Sequence, residues 1–255
     1  MQPPTSVPFY LDWTFWTAVT AVAALMLSQL PPLYTLIRKA KLEIELFSYI
    51  HISHKVGNPN VQLHFILTNA GGRSVRIKAV TLEVQKDGNP VTTLYARNYL
   101  QNPGDKTNIL FTPFTLKSKD EWAHIVNFLN YFSREEMKCF RSSESKLKED
   151  IKGKIKLLTE EDKKKEKLAE AAPENVLPFI NMFNSKFVWL PGEYAIKVNV
   201  QTSSNKLVIN KDYRFTLFES DSEELSKAKE DFKYGDGIYW DSGKHPGVIV
   251  TTVES

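Results

Sequence analysis

Hydrophobic and polar positions change their spacing several times along this chain of 255 residues. From Trp13 to Ile37 there is no charged residue and no polar face. About 20 apolar residues at 1.5 Å rise cross a hydrocarbon core about 30 Å thick, so the run predicts a transmembrane helix over residues 11–38, bent or ended near Pro31 and Pro32. Trp13 and Trp16 at one end and Tyr34 at the other suit the headgroup region. Arg38, Lys39 and Lys41 follow at once, whereas residues 1–12 hold no Lys or Arg. A cleaved secretory leader needs a positive start, which is missing. The same asymmetry predicts a single pass in the cell (inner) membrane, with residues 1–10 as an external tail and the C-terminal domain cytoplasmic.

After the anchor the period becomes two. Leu42, Ile44, Leu46, Ile50 and Ile52 alternate with polar or aromatic neighbours, as on a strand with one buried face. Turn residues at Gly57–Asn60, Asn69–Gly72 and Asp87–Pro90 separate further strands over 61–68, 75–86 and 91–99. The alternation slips at Ala79, as at a bulge. A strand over 107–117 contains Pro113, which places it at an edge or a break. The period then reads as helical. Ser118-x-x-Glu121 fits a capping box, and Trp122, Ile125, Val126, Leu129 and Phe132 follow as one buried face. Ser133-x-x-Glu136 fits the start of a further turn. Arg141–Ala172, rich in Lys and Glu, reads as a solvated helix, interrupted at Gly153, capped again at Thr159-x-x-Asp162 and ended by Pro173. Tyr194–Val200 and Leu207–Phe218 form a hairpin around Ser203-Ser204-Asn205. Ser220-x-x-Glu223 caps a helix carrying Leu225, Ala228 and Phe232, and Val248–Val253 is a last strand. The predicted organisation is mainly β with an α insertion: an antiparallel sandwich from 39–117 and 186–255 with a C-terminal helix and tail, and a helical insertion over 118–185.

Leu67-Thr68-Asn69-Ala70-Gly71, the strand Lys78–Gly88, and Leu190-Pro191-Gly192-Glu193-Tyr194 resemble the strand ends of immunoglobulin-like sandwich modules of the bacterial adhesion (CARDB-like) type. The resemblance covers residues 42–117 and 186–218. It implies an immunoglobulin-like sandwich and no activity, because such sandwiches host many unrelated functions. The departure is the segment 117–185, where such a module has only a loop; its length points to recognition or assembly.

Composition narrows the classes. Charged residues make 25% and hydrophobic ones 42% of the chain, an ordinary globular mix. A net charge of +3 gives no case for nucleic acid. The single cysteine, Cys139, excludes an intramolecular disulfide, consistent with a reducing compartment. His51 and His54, three apart on a strand, face opposite ways and cannot chelate one metal together. His64, His124 and His245 stand apart from one another in sequence. No nucleophile elbow, phosphate loop or HExxH occurs. Asp236 and Asp241 among Gly235 and Gly237 have turn spacing, not that of a calcium loop. Lys163–Lys165 and Lys167 could meet anionic lipid, but interleaved Glu160, Glu161, Asp162 and Glu166 favour a solvated helix.

No catalytic residue, cofactor or metal is expected. The chain reads as a non-catalytic binding or scaffolding subunit whose partners are the lipid bilayer and a protein or a second copy of itself. Trp122 and the tail aromatics Tyr234, Tyr239 and Trp240 are the candidate contacts. The alternative is a domain that senses a small ligand or carbohydrate and signals through the anchor.

Overall fold

The computed structural model describes residues 8–29, 39–102, 104–105, 107–158, 168–203 and 209–254. Eleven strands form one antiparallel sheet. β1 (Leu42–Lys55) and β2 (Asn58–Asn69) make a hairpin across Val56 and Gly57, both at positive φ. β3 (Val75–Lys86) and β4 (Asn89–Leu100) make a second hairpin over Asp87-Gly88. β5 (Ile109–Leu110) and β6 (Phe114–Leu116) flank Pro113. β5 pairs with the far end of β4 and β6 with the near end of β3, so this broken segment fills the split where the two strands part. β7 is Glu121–Leu129, and β8 (Gly192–Thr202) and β9 (Ile209–Leu217) form the late hairpin, whose turn at 204–208 lies outside the described residues. β10 (Val248–Thr251) and β11 (Val253–Glu254) end the chain.

The order is β10-β1-β2-β7-β4-β3-β8-β9-β11. Its two ends are consecutive strands separated only by Thr252, so the tail closes the sheet on itself. β10 pairs with β1 and β11 with β9. Thr252 sits at the seam, its amide and hydroxyl both donating to the Ser48 carbonyl at 2.6 and 3.1 Å. Ser48 lies where the β1–β2 register slips, between Leu46 and Ile50. A second irregularity, between Ile77 and Ala79 in the β3–β8 ladder, coincides with the slip in the sequence alternation.

Inward residues of every long strand fill one core, among them Ile52, Phe65, Leu82, Phe128, Ile196 and Phe215. Trp189 is fully buried and donates from Nε1 to the Ser53 carbonyl at 3.1 Å. Tyr194 stacks on Phe215, ring centres 5.1 Å apart, and its hydroxyl reaches the Val188 and Leu190 carbonyls. Burial pushes that hydroxyl up to about 12, so it remains a donor.

Among the described residues four α-helices accompany the sheet. α1 is Trp13–Gln29, α2 Arg134–Leu157, α3 Pro173–Lys186 and α4 Glu219–Lys227, the last continuing as a 3-10 helix over Ala228–Tyr234. α2 begins at the Ser133–Glu136 capping box, with amide-to-side-chain bonds of 2.7 and 3.2 Å in both directions. Phe140, Leu147 and Ile151 lie on one stripe of α2 and meet Phe179 and Phe183 of α3, Phe232 and Val56 in a second core at the β1–β2 turn. The described part of this charged segment is therefore half-buried and not merely solvated. Gly153 lies inside α2, and Pro173 opens α3 at its first turn, where its missing N–H has no partner to lose. Asp150 bridges the two helices. It accepts from the Ala172 amide at 2.6 Å and the Asn175 side chain at 3.1 Å.

Two expectations are corrected. Residues 118–132 are not a helix: β7 lies between β2 and β4 in the middle of the sheet. Ser118 gives its hydroxyl to the Gly71 carbonyl at 2.7 Å instead of capping a helix. The alternation Trp122, Val126, Phe128 fits period two as well as the helical spacing did, and the Ile, Val, Trp and Phe content favours a strand. The segment 118–185 is thus not wholly a helical insertion, because its first part belongs to the sheet. Ser220 is not the cap of α4, whose first turn is held instead by Asp221 accepting from the Phe218 amide at 3.1 Å.

The expected transmembrane helix over 11–38 is not supported by the described residues. Among the described residues no helix is long and apolar enough to cross a membrane. α1 has 17 residues, about 25 Å at 1.5 Å per residue. The remainder of the expected span, residues 30–38 with Pro31, Pro32, Tyr34 and Arg38, lies outside the described residues.

Candidate functional site

The tail after α4 builds the site. Gly235, in the left-handed region at φ 81°, ends the 3-10 helix, and a Cβ there would stand 2.2 Å from the Tyr239 ring. The chain can therefore fold Tyr239 back on itself only with glycine at that position. Asp236 is buried and is used by its own loop: its carboxylate accepts from the amides of Gly237 at 2.9 Å and Ser242 at 2.8 Å, and from the Ser242 hydroxyl. The turn reading of this glycine- and aspartate-rich stretch matches these contacts. Trp240 donates from Nε1 to the Tyr234 carbonyl at 2.9 Å, which pins its indole at the surface.

Between this tail, α4 and the end of β1 lies a cavity of about 420 Å³. Val56, Leu225, Phe232 and Ile238 make its apolar side; His54, Lys55, Glu224, Asp241 and His245 make its polar side, with Tyr239 and Trp240 beside them. A volume of this size holds a small organic group or a long side chain.

The histidines here have different roles. His54 Nε2 lies 2.8 Å from the Leu225 carbonyl, and its Nδ1 accepts from the Gly57 amide at 3.2 Å. These partners require the neutral Nε2–H tautomer. Burial, as the leading cause, holds the His54 imidazole below its ordinary 6.5. His245 Nε2 lies 3.0 Å from an Asp231 oxygen, while its Nδ1 is buried with no hydrogen-bond partner. Glu224 Oε1 is 3.8 Å from that nitrogen, too far for a hydrogen bond. Desolvation raises the Tyr239 hydroxyl above 10.0, which keeps it a donor. No group of three His, Cys, Asp or Glu placed to hold a metal occurs among the described residues.

The expected contact residues fall in different places. Tyr239 and Trp240 line the cavity, and Trp240 is 39% exposed. Tyr234 is half-buried beside it and donates from its hydroxyl to Glu170 at 2.9 Å. Trp122 is elsewhere. It sits on β7, stacked on Phe114 at 4.8 Å and edge-on to Phe65, Tyr99 and Phe111, so it closes the sheet core and presents no helical face. Trp13 and Trp16 are exposed at the start of α1. Lys39 and Lys41 offer their carbonyls to Gly72 and Gly71 at the sheet's start. Sequence reasoning missed Glu224, Asp231 and His245 as a group. No local spacing marks them, since Asp231 and His245 are brought together by the fold-back at Gly235.

No known protein family matches the chain, and no curated protein is similar to it. Among solved structures it is similar to a protein from Archaeoglobus fulgidus, 9% identical, over 70% of this chain and 97% of that one, with a TM-score of 0.27.

Proposed function

We propose that the protein is a non-catalytic binding subunit held at a membrane by its apolar N-terminal segment, with the sheet domain on the cytoplasmic side. The observation that carries this is α1. Every residue from Trp13 to Ser28 is exposed, and large apolar groups including Trp13, Val22, Leu25 and Leu27 are more than half exposed. A helix without a polar face does not rest in water; it is covered by lipid or by protein on all sides. Its hydroxyls are already internally bonded: Thr17 to the Thr14 carbonyl at 2.8 Å, Thr20 to Trp16 at 2.9 Å and Ser28 to Leu25 at 2.8 Å. That is the condition for a helix in an apolar medium. Arg38, Lys39 and Lys41 in the sequence favour the inner face.

The absence of an activity is part of this reading. Its support is that two of the polar groups lining the cavity, His54 and Asp236, are engaged in holding the backbone. The sheet domain is read as an immunoglobulin-like module from its Asn69–Gly71 and Pro191–Tyr194 turns, with the partner expected at the cavity end. The cavity itself favours a second reading, a domain that senses a small ligand.

Flotation on liposomes of anionic and zwitterionic lipid tests the attachment. The full chain is expected to float, and Val19→Lys with Leu25→Lys to remain at the bottom of the gradient. In cells, an impermeant reagent is expected to leave the C-terminal domain unlabelled. A wild-type chain that stays monomeric and free of lipid would remove the proposal.

A further inference from the structure

We propose that the cavity between β1, α4 and the aromatic tail is a binding site for an alkylammonium group, the head of a lysine side chain or of a small primary amine. This rests on the reading of the domain as a binding module and deepens it; membrane attachment is not required for it. The argument starts from two acceptors. His245 Nε2 faces the Asp231 carboxylate, so that nitrogen carries the hydrogen. In the neutral ring Nδ1 is then a bare lone pair, buried and without a donor, a condition that costs free energy until something donates to it. Glu224 Oε1 stands 3.8 Å away and also lines the cavity. One ammonium nitrogen at about 2.9 Å from each would satisfy both.

The surroundings select charge and shape. Asp241 adds a second carboxylate to the wall, and the Trp240 ring lies beside it, where a π-face attracts a cation; the Tyr239 ring already carries the Lys148 ammonium 4.9 Å from its centre. The lysine in the wall does not compensate these charges from inside: Lys55 holds its ammonium 5.5 Å from the centre of the Phe140 ring, which is not part of the wall. Lys244 lies on the far side of His245, 3.7 Å from Asp231. An anion would therefore meet Glu224 and Asp241. A neutral alcohol could donate one hydrogen bond but would bring no charge to Asp241, whereas Glu224 has Lys227 3.9 Å from its other oxygen. The apolar side formed by Val56, Leu225, Phe232 and Ile238 is suited to the methylene stem of an alkylamine.

The test is calorimetric titration of the full chain in detergent micelles with four probes: pentylamine, pentanol, hexanoate, and a short unstructured peptide with one central lysine. Pentylamine is expected to bind at least about tenfold more tightly than pentanol, with no heat from hexanoate. Glu224→Gln is expected to weaken pentylamine about tenfold, the loss of one charge-assisted hydrogen bond. Because Glu224 is 43% exposed, its melting temperature should be unchanged, which separates lost binding from lost folding. Trp240→Leu is a second variant, expected to weaken the amine about fivefold. A lysine peptide that binds more tightly than pentylamine identifies a protein side chain as the source, and a weaker one identifies a free amine; either supports the site. Equal binding of pentylamine and pentanol, no binding of either at millimolar concentration, or unaltered binding by Glu224→Gln would overturn it. If the amine fails while the chain still floats on liposomes, the ligand class falls and the attachment stands.

Discussion

Asn69 shows how much a single polar side chain can hold here. It is fully buried, its amide nitrogen lies 2.8, 3.2 and 2.9 Å from the Arg73, Leu116 and Lys117 carbonyls, and its oxygen accepts from the Gly71 amide at 3.1 Å. Asn69→Ala strands those groups without water, and chemical denaturation should show a loss of about 2 to 4 kcal/mol. Asn69→Asp should cost more, because a carboxylate cannot donate to three carbonyls. Titration gives a second residue-scale test. The Ala172 amide, chiefly, together with Asn175 and Lys154, holds the Asp150 carboxyl below its ordinary 3.8. A depressed acid contributes stability that is present above its unfolded value and is lost as pH falls through the folded one. Asp150→Asn should therefore flatten the fall in stability below pH 3.8, as read from urea melts over that range. His54 works in the same direction at higher pH. Its folded value is depressed below 6.5, so the unfolded chain takes the proton first and stability declines as pH drops below 6.5. The His54 ring resonances in NMR should titrate below 6.5 as well.

At the scale of elements, the hairpins were legible and the middle of the chain was not. Strands with one wet face show their period directly, as Leu42–Ile52 and Tyr194–Val200 do. β7 is covered on both sides: its outward Asn127 is buried in an amide cluster with Gln62, Asn98 and Asn108, so apolar and polar positions do not sort cleanly. With both faces covered, Trp122, Ile125, Val126 and Leu129 fit a strand as well as a helix, and only pairing with residues 25 or more positions away decides. The site was half legible. Tyr239 and Trp240, which stand out in the sequence as tail aromatics, line the cavity, whereas Glu224 and His245 meet only because the tail turns back. Gly57 tests how the helices sit on the sheet. A Cβ there would lie 2.5 Å from the Phe183 carbonyl oxygen, at φ 80°. Gly57→Ala should cost about 3 kcal/mol by denaturation, combining backbone strain with displacement of α3.

For the whole molecule, the governing feature is closure by the last strands. Deleting residues 248–255 removes the partners of β1 and β9 and leaves two unpaired ladders, which invite association. Light scattering should show oligomers of the truncated chain where the full chain in the same detergent is uniform, and its thermal transition should lie lower. The seam also orders events during synthesis. Tyr49 pairs with Thr251, so the outer edge of a strand made early waits for a partner 202 positions further along the chain. Contacts so distant in sequence slow folding, and every nascent chain passes through an interval with β1 uncovered. Products that stop before Val248 have no means of completing the ring.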